Sequence, residues 1–140
     1  MRQIAIFLKP LPALALCTAL LTGCNATTDW DKEYVCTGQE QSSTVFKGDD
    51  PTRAIEKKYP MAVDFHLRSQ KVFVKTYVAN LESDTAGGQQ FSGKNPTAWL
   101  SGHFEANTGQ LTLVEDRHLD IAGRTQFIRT TGQYTCQGRT

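Results

Sequence analysis

The chain has 140 residues with 15 basic and 14 acidic side chains, a formal net charge of +1. That length suits one core rather than several, and the near-neutral balance argues against a nucleic-acid partner, which would need a basic face. The chemistry therefore has to be sought in local segments, taken here in chain order.

Arg2 and Lys9 supply positive charge, and Leu11 to Leu21 then run apolar apart from Pro12 and Thr18. This is the layout of a secretory signal peptide. As a helix the run would cover only ~16 Å, well short of the ~30 Å hydrocarbon core, so it is too short to span a membrane. Arg2 and Lys9 are the only charges before residue 24, so without that segment the formal charge moves from +1 to −1.

The run ends in Leu21-Thr22-Gly23-Cys24. These four residues resemble the bacterial lipobox, in which leucine and small residues precede a cysteine that receives diacylglycerol. The resemblance implies cleavage between Gly23 and Cys24, so that 1–23 is a lipoprotein signal peptide and Cys24 the lipidated first residue. More than one acyl chain is what stable attachment requires, since each buried CH₂ is worth about 0.8 kcal/mol. Asn25 follows, where lipoproteins kept on the inner membrane of enteric-type bacteria usually carry aspartate. For a Gram-negative host this implies a lipid-anchored protein of the outer membrane, on its periplasmic face. Residues 24–32 are then a lipidated tether, whose polar part reaches at most ~28 Å when extended. Trp30 within it is expected to pack on the domain rather than rest in the bilayer interface.

The domain is expected over 33–140. Cys17 leaves with the leader and Cys24 carries lipid, which leaves Cys36 and Cys136 to pair in an oxidising compartment. In 50–60, Asp50 can cap a short helix, Pro51 suits its first position, Ala54, Ile55 and Tyr59 can face inward, and Pro60 ends it. Met61, Val63, Phe65 and Leu67 then alternate with Asp64, His66 and Arg68, the signature of a half-buried strand. Ser69-Gln70 reads as a hairpin turn before one strand over 71–78, with Val72, Val74 and Val78 on one face. From Asn80 to Pro96 the Gly, Ser, Thr, Gln and Asn content predicts a mobile loop, broken by a short strand around Phe91.

Ala98, Leu100 and Phe104 alternate again, and Asn107-Thr108-Gly109 places glycine where a three-residue hairpin wants positive φ. Leu111 and Leu113 lie on the return strand, and Ala122-Gly123 turns the chain toward Phe127, Ile128, Tyr134 and Cys136. Tyr34-Val35-Cys36-Thr37-Gly38 and Tyr134-Thr135-Cys136-Gln137-Gly138 share tyrosine, cysteine and glycine at one spacing. The match predicts first and last strands side by side with tyrosines and cysteines inward. The fold expected is all-β: a small antiparallel meander barrel of about seven or eight strands, one short helix, and a disulfide joining the ends.

His66, His103 and His118 have no spacing that gathers them around a metal, and are expected to face solvent. Glu115, Asp116 and Asp120 read as solvated charge near a turn, with no nucleophile motif beside them. No catalytic residue, metal or cofactor is expected. Gly87, Gly88 and Phe91, with Trp99 and Gly102 beyond and the Tyr34-x-Cys36 opening, faintly resemble the membrane-bound C-type lysozyme inhibitors. Those are small lipoprotein barrels closed by a disulfide, which insert a loop into the lysozyme cleft. Gly87 stands where that family carries its inserted serine, and Ser101 where it carries a lysine. The leading expectation is a non-catalytic anchored protein whose β domain binds or supports an envelope protein or wall component, the 80–96 segment supplying the contact. An inhibitor of C-type lysozyme or another wall hydrolase is the alternative.

Overall fold

The computed structural model describes residues 29–139. The leader over 1–23, the lipobox cysteine Cys24 and the first part of the tether lie outside the described residues. Eight strands follow in order: β1 (Lys32–Phe46), β2 (Ile55–Arg68), β3 (Lys71–Val74), β4 (Tyr77–Thr85), β5 (Gly88–Asn95), β6 (Ala98–Glu105), β7 (Gln110–Ile121) and β8 (Arg124–Gly138). Each pairs antiparallel with the next, and β8 returns to β1, closing a barrel. Cys36 faces Cys136 across that closing pair, and the two are joined as a disulfide. The meander, the closure and the end-to-end crosslink are as the repeated Tyr-x-Cys-x-Gly pattern predicts.

Period-two alternation sets the inside. Phe65, Leu67, Val72, Val74, Leu100, Phe104, Leu111, Leu113 and Tyr134 all point inward and are buried. Phe65 lies at the centre of an aromatic group, 4.8 Å from Phe104, 5.6 Å from Phe91 and 5.9 Å from Tyr34 between ring centroids. Such tilted contacts add to the area the rings bury. The turns form where turn chemistry places them. Ser69 and Gln70 have φ of 49° and 63°, and Ala122 and Gly123 have 50° and 78°; both pairs suit a two-residue hairpin that follows strand twist. Gly109, at φ 69°, closes the β6–β7 connection, its N–H donating to the Glu105 carbonyl at 2.8 Å.

Four expectations are corrected. The helix over 50–60 is a single 3-10 turn, Pro51–Arg53; Asp50 does cap it, accepting from the Thr52 N–H at 3.0 Å. From Ile55 onward the chain is strand, because pairing Thr44↔Ile55 through Glu40↔Tyr59 satisfies the backbone along β1. Pro60 sits inside β2 rather than ending a helix. It is tolerated because β3 pairs only with Phe65–Arg68, so β2 has no neighbour on its other side at residue 60. The run over 71–78 is not one strand: Lys75-Thr76 turns the chain, which puts Tyr77 inside and leaves Val78 58% exposed. The 80–96 segment is not a loop but most of the β4–β5 hairpin, with a register shift between Leu81 and Ser83. Its polar residues pair through their backbones, which needs no apolar side chain.

Candidate functional site

The strands differ in length. β1 and β8 have 15 residues each, β2 has 14 and β7 has 12, whereas β3 has only 4 and β5 and β6 have 8 each. At the end where the chain enters, with Lys32, the Ala86-Gly87 turn and the β6–β7 connection, the strands finish together. At the other end β2, β1, β8 and β7 run on past their neighbours as a curved sheet. Alternation then lines the concave side in rows: Lys57, Ser42, Thr130 and Glu115 form one, and Ile55, Thr44, Ile128 and Arg117 the next. Phe46 and Gln126 lie above them. The result is a half-open cup, which with the gap along the free edge of β2 at Ala62, Asp64, His66 and Phe73 has about 950 Å³, the size of a small-molecule site.

Its floor is charged. Glu40 and Glu115 are 2% and 5% exposed, and an isolated buried carboxylate would be costly. Lys75 reaches in from the β3–β4 turn and binds both, its Nζ 2.5 Å from Glu40 Oε1 and 3.3 Å from Glu115 Oε2. Arg117 pairs with Glu115 Oε1, and the Tyr77 hydroxyl donates to the same oxygen at 2.7 Å. On the other side the Tyr134 hydroxyl donates to Glu40 Oε1. Gly132, opposite Glu40 in the β1–β8 register, leaves room for that ring; a Cβ there would sit 2.5 Å from the Tyr134 hydroxyl oxygen. Lys75 itself has φ of 53°, in the left-handed region that costs a non-glycine residue about 1–2 kcal/mol. Two ion pairs hold it there.

The cluster balances two acids with two bases, and proton affinities follow. Burial alone would raise the Glu115 carboxyl, but hydrogen bonds from Tyr77 and Arg117 and the charges of Lys75 and Arg117 outweigh it and hold it below the ordinary glutamate range. The hydrogen bond to Glu115 raises Arg117 in turn. Burial, and then the neighbouring carboxylates, push the phenols of Tyr59, Tyr77 and Tyr134 above their usual value. Glu115, saturated in this way, is held as an anion.

The signs give a test. A phenol whose folded pKa is raised stabilises the fold fully below the unfolded value near 10, and that stability drains as pH climbs above it. Glu115 is lowered, so its contribution is complete above the ordinary glutamate range and is lost as pH falls through its folded value. Titration at 295 nm should show Tyr59, Tyr77 and Tyr134 silent until the barrel's circular dichroism collapses, releasing them together. Smooth ionisation of all four tyrosines near pH 10 in an intact fold would contradict the assignment.

The remaining residues singled out from the sequence do not converge. Gly87 is exposed in the β4–β5 turn, but Gly88 is buried, and Phe91 is a core ring at 1% exposure rather than a contact residue. Trp99 points outward, 44% exposed, near the opposite end of the barrel from Gly87. The histidines are apart: His103 lies 3.5 Å from Glu105, and His118 is exposed. His66 is not solvent-facing as expected but partly covered by Trp30, whose ring is 4.7 Å away and equally close to Phe73. Among the described residues no group of His, Cys, Asp or Glu side chains is placed to hold a metal ion. Asp116 pairs with Arg129 outside, as solvated charge should, whereas Glu115 is the buried exception. Sequence reasoning missed Glu40 and Lys75. Counting by twos from Cys36 would have placed Glu40 inward; nothing local marks Lys75. Comparison with protein-family models, with curated proteins and with solved structures finds no match for this chain.

Proposed function

We propose that the chain is a non-catalytic binding protein of the bacterial outer membrane, held by lipid on Cys24, with the cup as its binding site for a component of the envelope. One observation carries the reading: a concave surface of mixed hydroxyl, amide and apolar side chains lies over a floor whose acids are already neutralised. That combination suits recognition rather than turnover. The cup also opens at the end away from Lys32, so a tether holding the entry end toward the bilayer would leave the mouth free. The Gly87 turn, the contact expected from the sequence for the leading reading and for a lysozyme inhibitor alike, lies at the end of Lys32, and the cup takes its place as the contact in this reading.

Adjacent residues on β1 supply the test, because Thr44 faces the cup and Ser43 the outside. A photo-crosslinking residue at position 44 of the full chain in cell envelopes should give a discrete adduct, and one at 43 should not. Equal labelling from both positions, or none from 44, would refute the cup as the site.

A further inference from the structure

The cup's side chains differ in how far their own hydrogen-bonding and charge needs are met. Glu40 is taken by Lys75 and Tyr134, and Glu115 by Lys75, Arg117 and Tyr77. Asp64, the third acid along the cavity, is taken by Arg139. Lys57 is exposed on the β2 wall and forms no ion pair among the described residues. It shares its row with Ser42 and Thr130, whose hydroxyls lie between it and Glu115. The next row outward is apolar at Ile55 and Ile128, and Phe46 lines the rim. Ile55 is 54% exposed, an apolar surface left facing an open cavity.

We infer that the cup takes a single-tailed amphiphile with one anionic head, the head at Lys57, Ser42 and Thr130 and the tail along Ile55, Ile128 and Phe46. This rests on the cup being the binding site and adds the class of ligand. A carboxylate or phosphate would complete the one cation left without a partner and accept from the two hydroxyls, a charge-assisted arrangement. The tail would cover the apolar wall that open water now touches. A neutral polyol would leave Lys57 unpaired, and a cation would find each acid of the cavity already taken by a base. Carboxylate and phosphate heads share this chemistry.

The full chain carrying Cys24→Ser, unacylated under the proposed anchor, allows the measurement in water. Decanoate, decyl phosphate, decanol and maltose are titrated below micelle formation while the methyl signals of Ile55, Ile128 and Thr44 are followed against outward-facing Val45 and Val78. Both anions should shift the inner methyls and bind about tenfold or more tighter than decanol, the difference one charge-assisted contact makes; the stronger of the two identifies the head. Lys57→Gln should remove that preference, and Lys58→Gln, on the outer face, should keep it. Decanol binding as well as decanoate, or anion binding indifferent to Lys57→Gln, would overturn the inference. Maltose shifting the inner methyls with no amphiphile doing so would overturn it while leaving the cup as a binding site. No probe shifting them would overturn the inference, and the crosslinking at position 44 would then decide on the cup by itself.

Discussion

Lys75→Met should destabilise the fold by about 3–5 kcal/mol, the range for removing one partner of a buried ion pair. Methionine matches the lysine stem in length, so packing is largely kept and the charge is what disappears. Glu40 then holds a buried negative charge with no cation beside it, left to the hydroxyls of Tyr134 and Tyr59. Glu115 fares better, because Arg117 and Tyr77 remain. Adding Glu40→Gln to Lys75→Met should therefore recover much of the loss, whereas adding Glu115→Gln should recover less. Urea unfolding of the three variants measures this through the midpoint, with an unchanged slope showing that the unfolded state is comparable. A loss below about 1 kcal/mol for Lys75→Met would place the pair in the class of solvent-screened surface contacts and would contradict a buried floor.

Breaking the Cys36–Cys136 crosslink should be of similar size. The two cysteines are 100 residues apart, and closing a loop of that length is worth about 4–5 kcal/mol in the chain-entropy account. Nearly the whole domain lies inside the loop, so the effect is exerted on the unfolded chain and not on any one contact. The closing pair itself extends over thirteen residue pairs from Tyr34↔Gly138 to Phe46↔Gln126, so Cys36→Ala with Cys136→Ala should still form a barrel in the cold. Its thermal midpoint should fall by well over 10 °C, given a shift of about 4–8 °C per kcal/mol for a domain of this size. Equal midpoints with and without reductant, the thiols being shown free, would contradict the crosslink's role.

The barrel was largely legible because its determinants are local or repeated. Alternation in 61–67 and 98–104, three turns with recognisable chemistry, and a matching Tyr-x-Cys-x-Gly at each end specify strands, order and closure. The elements that escaped are those decided by partners far along the chain. Ala54, Ile55 and Tyr59 fit a helical face while Ile55, Lys57 and Tyr59 fit a strand face, and only pairing with β1 selects the second. Gln89, Gln90 and Ser92 lack strand propensity, yet β4 and β6 on either side complete their backbone bonds. The cup's floor was hidden for the same reason. Glu40, Lys75 and Glu115 are separated by 35 and 40 residues, each is ordinary as surface charge, and only barrel closure brings them into contact. The turn at Lys75-Thr76 has neither glycine nor asparagine to announce it, since the ion pairs offset its backbone strain.

An opening in a barrel wall has a drawback of its own. Over residues 55–64 the amides and carbonyls of β2 on the side away from β1 meet no strand, the arrangement through which copies of one protein stack into aggregates. Pro60 breaks that row of donors, and Lys57 and Lys58 set positive charge on both faces of it. A second copy approaching border to border would meet a missing amide and repelling lysines. The mouth can thus stay open without making the molecule adhesive to itself.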